Sequence, residues 1–336
     1  MKKSIARILA CTLLLSLTGC ANAEPKLQET AAPAAQQQVI PEHISFSAFE
    51  GGQALTIEAT ADLPEQIPQD YLVLGYDQEA GDRLFKELVP DPEKLAHPDE
   101  EGRIVGIHFE TNNEWDSPGY LYFENHDMTD WDEHNLDGHY DSYYITDKKP
   151  GNYQKSAQEV LTELATHLED YSCLQFTPVH AAAVEGSTGA YYWRMAPSFE
   201  GIPIHGNDFG FLGGQIRETG QELIRGNLLL KIADRPQMED PLSFTEALDR
   251  LKAEWAQYTY AKSICIDRIL FCYMAIPEQD HWILSPAWVF QGDQSKECVS
   301  PYEERHNGDH SRINYIYEIR DGFLDVSEFN SEFSDF

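Results

Sequence analysis

Two segments of the chain carry apolar residues at the spacing of an amphipathic helix, and both have the same design. In Ser156–Tyr171 and in Ser243–Tyr258 the apolar positions recur about every 3.6 residues, which places them along one face of a helix. Each segment begins with Ser-x-x-Glu, the capping box in which serine and glutamate satisfy free N–H groups of the first turn. The pattern therefore predicts two helices with the same N-terminal cap.

Each predicted helix is followed by β-branched and aromatic residues that are interrupted by turn residues, a pattern typical of hairpins. After the second helix, Ser263–Ile276 is followed by the turn Pro-Glu-Gln-Asp and by His281–Gln291. After the first helix, LQFTPVHAAAV turns through EGSTG into Ala190–Gly206. Closing strands are predicted at Glu222–Ile232 and Ile313–Val326. A helix followed by an antiparallel hairpin, twice in succession, indicates a duplicated α+β unit.

The region before the first helix has a different character. The stretches ALTIEATADLP and IVGIHF are typical of strands, and Gly119–Glu124 can pair with Tyr140–Ile145 around an acidic connection. We therefore predict an α+β fold of two repeated helix-plus-hairpin units behind a β-rich N-terminal region. The predicted segments are the N-terminal region at 43–150, a first unit at 151–236, a second unit at 237–328 and an acidic tail at 329–336.

The first twenty residues have the order of a bacterial lipoprotein leader. A basic head precedes the apolar run Ile8–Leu17, which is shorter than the roughly 20 residues a membrane-spanning helix needs. The following Leu-Thr-Gly-Cys resembles a lipobox, which implies a signal peptide at 1–19 and lipidation of Cys20. Residues 20–42 are rich in Ala, Gln and Pro and predict a flexible tether. The alternative is an ordinary signal peptide with a chance cysteine.

Charge narrows the range of partners. The chain has 24 Lys and Arg against 57 Asp and Glu, a formal net charge of −33. Nucleic acid is excluded as a partner, because its affinity comes from cationic side chains that neutralise phosphates. Anionic headgroups also repel such a surface, so membrane attachment is expected through the lipid alone.

The cysteines are consistent with two hypotheses, disulfides or free thiols. The four cysteines after the leader permit two disulfides in an oxidising compartment. Cys265 and Cys272 lie seven residues apart in one predicted strand, roughly 23 Å from each other, and therefore cannot be joined. Either a bridge uses one of the other two or these are buried thiols, the reading we favour. The four are Cys173, Cys265, Cys272 and Cys298.

The order of elements resembles a known family. A helix, a hairpin with SFEGIPIHG and closing strands, then a helix, a hairpin with ILSPAWVF and closing strands, resemble the PepSY-like units of Gram-positive surface lipoproteins. That group includes membrane-side accessory proteins of two-component systems, and the resemblance spans residues 156–326. It implies a protein on the extracytoplasmic face of the cell membrane that binds or regulates an envelope protein or peptide. It implies no chemistry.

Catalytic motifs are absent from the sequence. Gly186–Gly189 has the wrong spacing for the G-x-S-x-G elbow of hydrolases and is expected to be a turn. No H-E-x-x-H, P-loop or dinucleotide fingerprint occurs. His205 is expected to be a turn residue rather than a base, because no matching nucleophile is recognisable. We therefore predict a protein that is not an enzyme; the alternative is an envelope hydrolase that acts on wall sugars or peptides through carboxylates.

Glu124–Asp141 is rich in acidic residues and includes three histidines, which raises the alternative of a divalent-cation site. Calcium takes 6–8 oxygen ligands, but the spacing after Asp132 does not fit an EF-hand. Zinc ligation by His126, His134 and His139 matches no common spacing either. A mobile, solvated loop is the expected state, with no organic cofactor and with calcium as the alternative. The candidate metal residues are Asp127, Asp130, Asp132, His134 and Asp137.

Tryptophans on the predicted strands have apolar neighbours. Trp193, Trp282 and Trp288 are therefore expected in the core. A peptide or glycan groove lined by them is the alternative.

Overall fold

The computed structural model of the chain describes residues 43–50, 53–64, 66–112, 118–127, 144–151, 153–183, 189–206, 209, 211–255, 263–294 and 312–318. The described part contains three α-helices: α1 (Gln78–Leu88), α2 (Ala157–Leu168) and α3 (Phe244–Trp255). Two 3-10 turns lie at Pro92–Lys94 and Glu169–Tyr171. None of these helices has the length and apolar composition needed to cross a bilayer.

Strands make up most of the described structure. They are β1 (His43–Glu50), β2 (Gln53–Asp62), β3 (Leu72–Tyr76), β4 (His97–Pro98), β5 (Ile104–Val105), β6 (Ile107–Thr111), β7 (Tyr120–Asn125), β8 (Gln175–Ala183), β9 (Ala190–Phe199), β10 (Ile202–His205), β11 (Leu212–Arg217), β12 (Gly220–Asn227), β13 (Leu230–Asp234), β14 (Ser263–Glu278), β15 (His281–Gln294) and β16 (Arg312–Glu318).

Fourteen of the described strands form one mixed sheet. Its main path runs β13-β3-β15-β14-β10-β9-β11-β12-β7-β6, while β1, β2, β8 and β16 attach beside it. The long hairpin of β14 and β15 is the centre, because β14 pairs with β2 along its first half and with β10 further on. Both of these pairings are parallel, whereas β14 and β15 are antiparallel. The short strands β4 and β5 form a separate two-stranded sheet.

The predicted architecture of two helix-plus-hairpin repeats behind a separate β-rich region is wrong. The fold is mostly β, and strands from the predicted N-terminal region pair with strands of both predicted units: β2 with β14, β3 with β13 and β15, and β7 with β12. Hydrophobic periodicity reports which face of a strand is buried but not which strand lies beside it. The boundaries of the predicted segments stay predictions.

The two predicted helices with their caps and the two predicted hairpins are confirmed. The capping box of α2 is complete, since Glu159 N–H donates to Ser156 Oγ at 3.3 Å and Ser156 N–H donates to Glu159 Oε2 at 2.8 Å. In α3 the corresponding distances between Ser243 and Glu246 are 3.3 and 2.9 Å. The hairpins β8–β9 and β14–β15 are both antiparallel as predicted.

A helix in the N-terminal region escaped the sequence analysis. The side chain of Asp77 caps α1 by accepting from the N–H groups of Glu79 and Ala80, both at 3.1 Å. Ala80 and Leu84 form its buried stripe together with Gly81. An aspartate followed by apolar residues four positions apart is typical of a helix start, so this pattern could have predicted α1.

Two predicted strand pairings are also corrected. Glu222–Ile232 is not one strand, because the N–H groups of Leu228 and Leu229 both donate to the carbonyl of Gly119, at 3.1 and 2.9 Å, and divide the stretch into β12 and β13. Gly119–Glu124 does not pair with the segment that ends at Ile145, because β6 and β12 occupy both edges of β7. Ile145 instead bridges to Ala181 of β8.

The core is one large cluster of buried side chains, and a small second cluster on β14 and β15 consists of Cys272, Met274, Ala287 and Val289. Trp193, Trp282 and Trp288 are at most 2% exposed, which confirms their predicted place in the core. The indole N–H of Trp282 donates to Pro118 O at 2.9 Å and that of Trp288 to Leu242 O at 3.1 Å. These bonds join distant segments of the chain to the central hairpin.

Candidate functional site

The strands β8, β9 and β10 have a second face besides the one that packs into the core. Thr177, Ala196 and Ser198 on this face alternate along the chain with core residues such as Phe176 and Met195. A pocket of about 470 Å³ lies there. Its polar lining residues are Glu169, Gln175, Thr177, Ser198 and His205, and its other lining residues are Phe176, Val179, Ala196, Pro197, Gly201, Pro203, Ile204, Gly206 and Phe211. The pocket is therefore mainly apolar, with few polar groups.

The outer edge of β8 beside the pocket offers little for strand pairing. The N–H of Phe176 donates to Glu169 Oε1 at 3.2 Å, and Pro178, two residues further on, has no N–H. Alternate residues of a strand present their N–H groups to the same edge. Neither position 176 nor position 178 therefore offers an unbound N–H group to an added strand at this edge. A ligand here would bind through its side chains and ends rather than as an added strand.

The floor of the pocket is held by a tight turn between β9 and β10. Glu200 and Gly201 have φ values of 50° and 79°, the left-handed conformation that two-residue hairpin turns require. Arg235 binds Glu200 at 3.2 Å and pairs with Asp70. Its guanidinium also lies over the ring of Phe199, 5.8 Å from the centroid. These contacts fix the unfavourable backbone of Glu200 and, with it, the position of Gly201.

His205 stands at the centre of this face. It is the last residue of β10, paired with Met274 of β14, and not the turn residue that the sequence suggested. The imidazole lines the large pocket and also a second one of about 220 Å³, which extends over β14. Burial lowers the pKa of His205 to about 4. The ring is therefore neutral at pH 7 and places no charge between the two pockets.

The low pKa predicts a pH-dependent stability. An unfolded chain protonates His205 near pH 6.5, whereas the folded chain does so only near pH 4, so the free energy of unfolding falls as the pH drops between these values. At about 1.4 kcal/mol per pH unit, the loss amounts to about 3 kcal/mol. His205→Gln is expected to remove this slope from urea-unfolding curves measured at pH 7, 6, 5 and 4. His97→Gln, at an exposed position, should keep it; equal slopes in both variants would contradict the assignment.

The thiol that lines the second pocket together with His205 is not set up as a nucleophile. Cys272 lines the second pocket and is 2% exposed, with its sulfur 3.8 Å from that of Met274. Burial raises the pKa of the Cys272 thiol, so it stays protonated, and the neutral imidazole supplies no positive charge to lower that pKa. Cys272 is therefore a packing residue of the second pocket. Among the described cysteines, the prediction of buried thiols is confirmed for Cys272 alone, because Cys173 is only partly buried and Cys265 is exposed.

Most of the candidate metal residues lie outside the described residues. That holds for Asp130, Asp132, His134 and Asp137, and the lipidation residue Cys20 also lies outside them. Asp127 is described, and its carboxylate accepts from Gly106 N–H at 2.9 Å, a contact that fixes the end of β7. Among the described residues no group of three or more His, Cys, Asp or Glu is arranged to hold a metal ion. Calcium binding by the acidic stretch stays a prediction.

A buried carboxylate at the start of that stretch was missed by the sequence analysis. Glu124 is 4% exposed and accepts from the hydroxyl of Tyr122 at 2.7 Å, while His126 Nε2 lies 3.6 Å away. Burial and this bond raise the pKa of Tyr122. The three side chains therefore support the end of β7 and give the acidic stretch a fixed starting point.

Comparison with known proteins gives no assignment of function. No protein-family model and no curated protein matches the chain. An uncharacterized protein from Eubacterium rectale ATCC 33656 is similar in structure, with a TM-score of 0.45 and 14% identity over 84% of this chain and 92% of that one. The C-terminal domain of Bacillus megaterium YpeB has a TM-score of 0.28 and 11% identity over 74% of this chain and 95% of that one. That PepSY-related domain is a distant structural neighbour.

Proposed function

We propose that this chain is a lipid-anchored binding protein of the extracytoplasmic membrane face, which holds a peptide or a segment of an envelope protein in the pocket over β8, β9 and β10. The pocket carries the proposal. Its volume of about 470 Å³ lies within the range of ligand sites, about 300–1,000 Å³, and its mainly apolar lining with few polar groups is typical of them.

The surroundings of the pocket favour binding without catalysis. The sheet below it is continuous through β8, β9, β10 and β14, so the floor is formed before a ligand arrives. Glu169 is the one charged side chain among the described lining residues of the large pocket, because the ring of His205 is neutral. Together with the net charge of −33, this carboxylate favours an uncharged or cationic group at that end of the ligand.

Filling the pocket tests the proposal. Ala196 lies on its floor opposite Thr177, so Ala196→Trp would occupy the space that a ligand needs. The probe is a mixture of pentapeptides built from Ala, Val, Leu, Phe and Pro, and peptides retained by the purified protein are identified by mass spectrometry. We expect retention to fall at least tenfold in Ala196→Trp and to be unchanged in Ala233→Trp, the same substitution at an exposed strand position. Equal retention by both variants, or none by the parent, would overturn the proposal.

The anchor is supported by the leader alone and has its own test. Cys20→Ala removes the thiol that is acylated in the lipobox, so labelling with an alkyne fatty acid in growing cells is expected to be lost. Cys11→Ala, a second cysteine of the leader, should label as the parent does. Undiminished labelling of Cys20→Ala would remove the lipid anchor from the proposed function.

A further inference from the structure

The two pockets beside His205 form one groove. Gly201, Pro203 and His205 line both of them, so the large pocket over β8 and β9 continues past the end of β10 into the smaller one over β14. Nothing lies within 4 Å of the place where a side chain at Gly201 would begin. The passage between the pockets is therefore open at this glycine and bordered by the proline and the neutral imidazole.

The ends of the groove carry opposite charges. Glu169 lines the large pocket at the outer edge of β8, and Arg268 lines the small pocket on β14. No other described lining residue is an acid, a lysine or an arginine. Between the two ends the lining is mainly apolar, with Ala196, Pro203 and Leu270 among its members.

The spacing of the strands sets the length of a ligand that reaches both ends. From β8 through β9 and β10 to β14 there are three inter-strand steps of about 4.8 Å, which span roughly 14 Å across the sheet. Ile204 of β10 pairs with Tyr273 of β14, and Arg268 lies five residues before Tyr273, roughly 17 Å along the strand, so the two ends are roughly 22 Å apart. An extended peptide covers about 3.3 Å per residue, so about six to seven residues are needed. A carboxylate and a guanidinium this far apart match the amino and carboxyl ends of such a peptide.

Resting on the proposed function, we infer that the ligand is a short apolar peptide with free ends, whose amino group binds Glu169 and whose carboxylate binds Arg268. Its central side chains occupy the apolar lining on either side of His205. The crossing direction agrees with the edge of β8, where Phe176 N–H is already bound and Pro178 has none, so the peptide runs over the sheet rather than beside it.

The test compares four forms of a heptapeptide mixture built from the same five residue types: free, N-acetylated, C-amidated and blocked at both ends. The parent protein should bind the acetylated form and the amidated form each about tenfold more weakly than the free form, the loss expected when a charge-assisted hydrogen bond is removed. In Glu169→Gln acetylation should have no further effect, and in Arg268→Gln amidation should have none. The glutamine at 169 can still accept from Phe176 N–H, which keeps the edge of β8 intact.

Glu163→Gln and Arg250→Gln are the matched controls, because they remove the same charges at exposed positions of α2 and α3. Both variants should bind the four peptide forms with the same relative affinities as the parent. If the doubly blocked peptides bind the parent as tightly as the free ones and Ala196→Trp still abolishes binding, the inference on the ends is wrong while the pocket remains the site. If no form binds the parent, both the proposed function and this inference fail.

Discussion

Trp282→Ala is expected to lower the free energy of unfolding by about 3–5 kcal/mol. Trp282 is fully buried in β15, where that strand pairs with β3 on one side and with β14 on the other. Its ring meets Phe209 edge to face at 4.9 Å, and its N–H satisfies the carbonyl of Pro118. Truncation leaves a cavity at a junction of three strands and leaves that carbonyl without its donor.

Urea unfolding followed by far-UV circular dichroism measures the loss, with the midpoint interpreted at an unchanged slope. Trp282→Phe keeps a buried ring but loses the N–H donor, so it should fall between the parent and Trp282→Ala. Ile104→Ala, at a position that is 51% exposed, serves as the control and should cost less than about 0.5 kcal/mol. A midpoint for Trp282→Ala no lower than that of Ile104→Ala would contradict its place at the junction.

What could be predicted from the sequence was local. The caps at Ser156 and Ser243 and the hairpin turn before His281 each depend on residues close together in the chain, and each is present in the structure. The pairing of strands that are distant in the chain has no comparable local sequence pattern. The alternation of apolar residues in β2 fits either a neighbour in the N-terminal region or the neighbour it has, β14.

The pocket could not be predicted for the same reason. Glu169 follows α2, Ala196 lies on β9 and Arg268 lies on β14, so their place along adjoining pockets depends on the sheet order and on no shared motif. His205 was singled out from the sequence, but only the parallel pairing of β10 with β14 places it between two pockets. The resemblance to PepSY-like units came from the order of local elements, and a PepSY-related domain is a distant structural neighbour of the chain.

The acidic stretch Glu124–Asp141 shows that composition alone does not predict a ligand. Its composition raised a metal site as the alternative to a solvated loop, and the described part, from Glu124 to Asp127, uses its polar groups in internal contacts. A carboxylate that accepts a tyrosine hydroxyl or a backbone N–H already has a structural role. Abundant acids in a chain of net charge −33 therefore carry little information about ligands until their neighbours are known.

Leu251→Ala and Leu164→Ala are each expected to cost about 2–5 kcal/mol of unfolding free energy, because both leucines lie at the centre of a helix face that packs into the core. Leu251 of α3 is fully buried and Leu164 of α2 is 6% exposed. Their exposed neighbours Glu163 and Arg250 provide controls on the same helices, and alanine at either should cost less than about 0.5 kcal/mol. The surface ion pair of Glu163 with Lys155 does not change this expectation, since such pairs contribute little in water. Unfolding midpoints that are alike for all four variants would show that the two helices present different faces to the sheet.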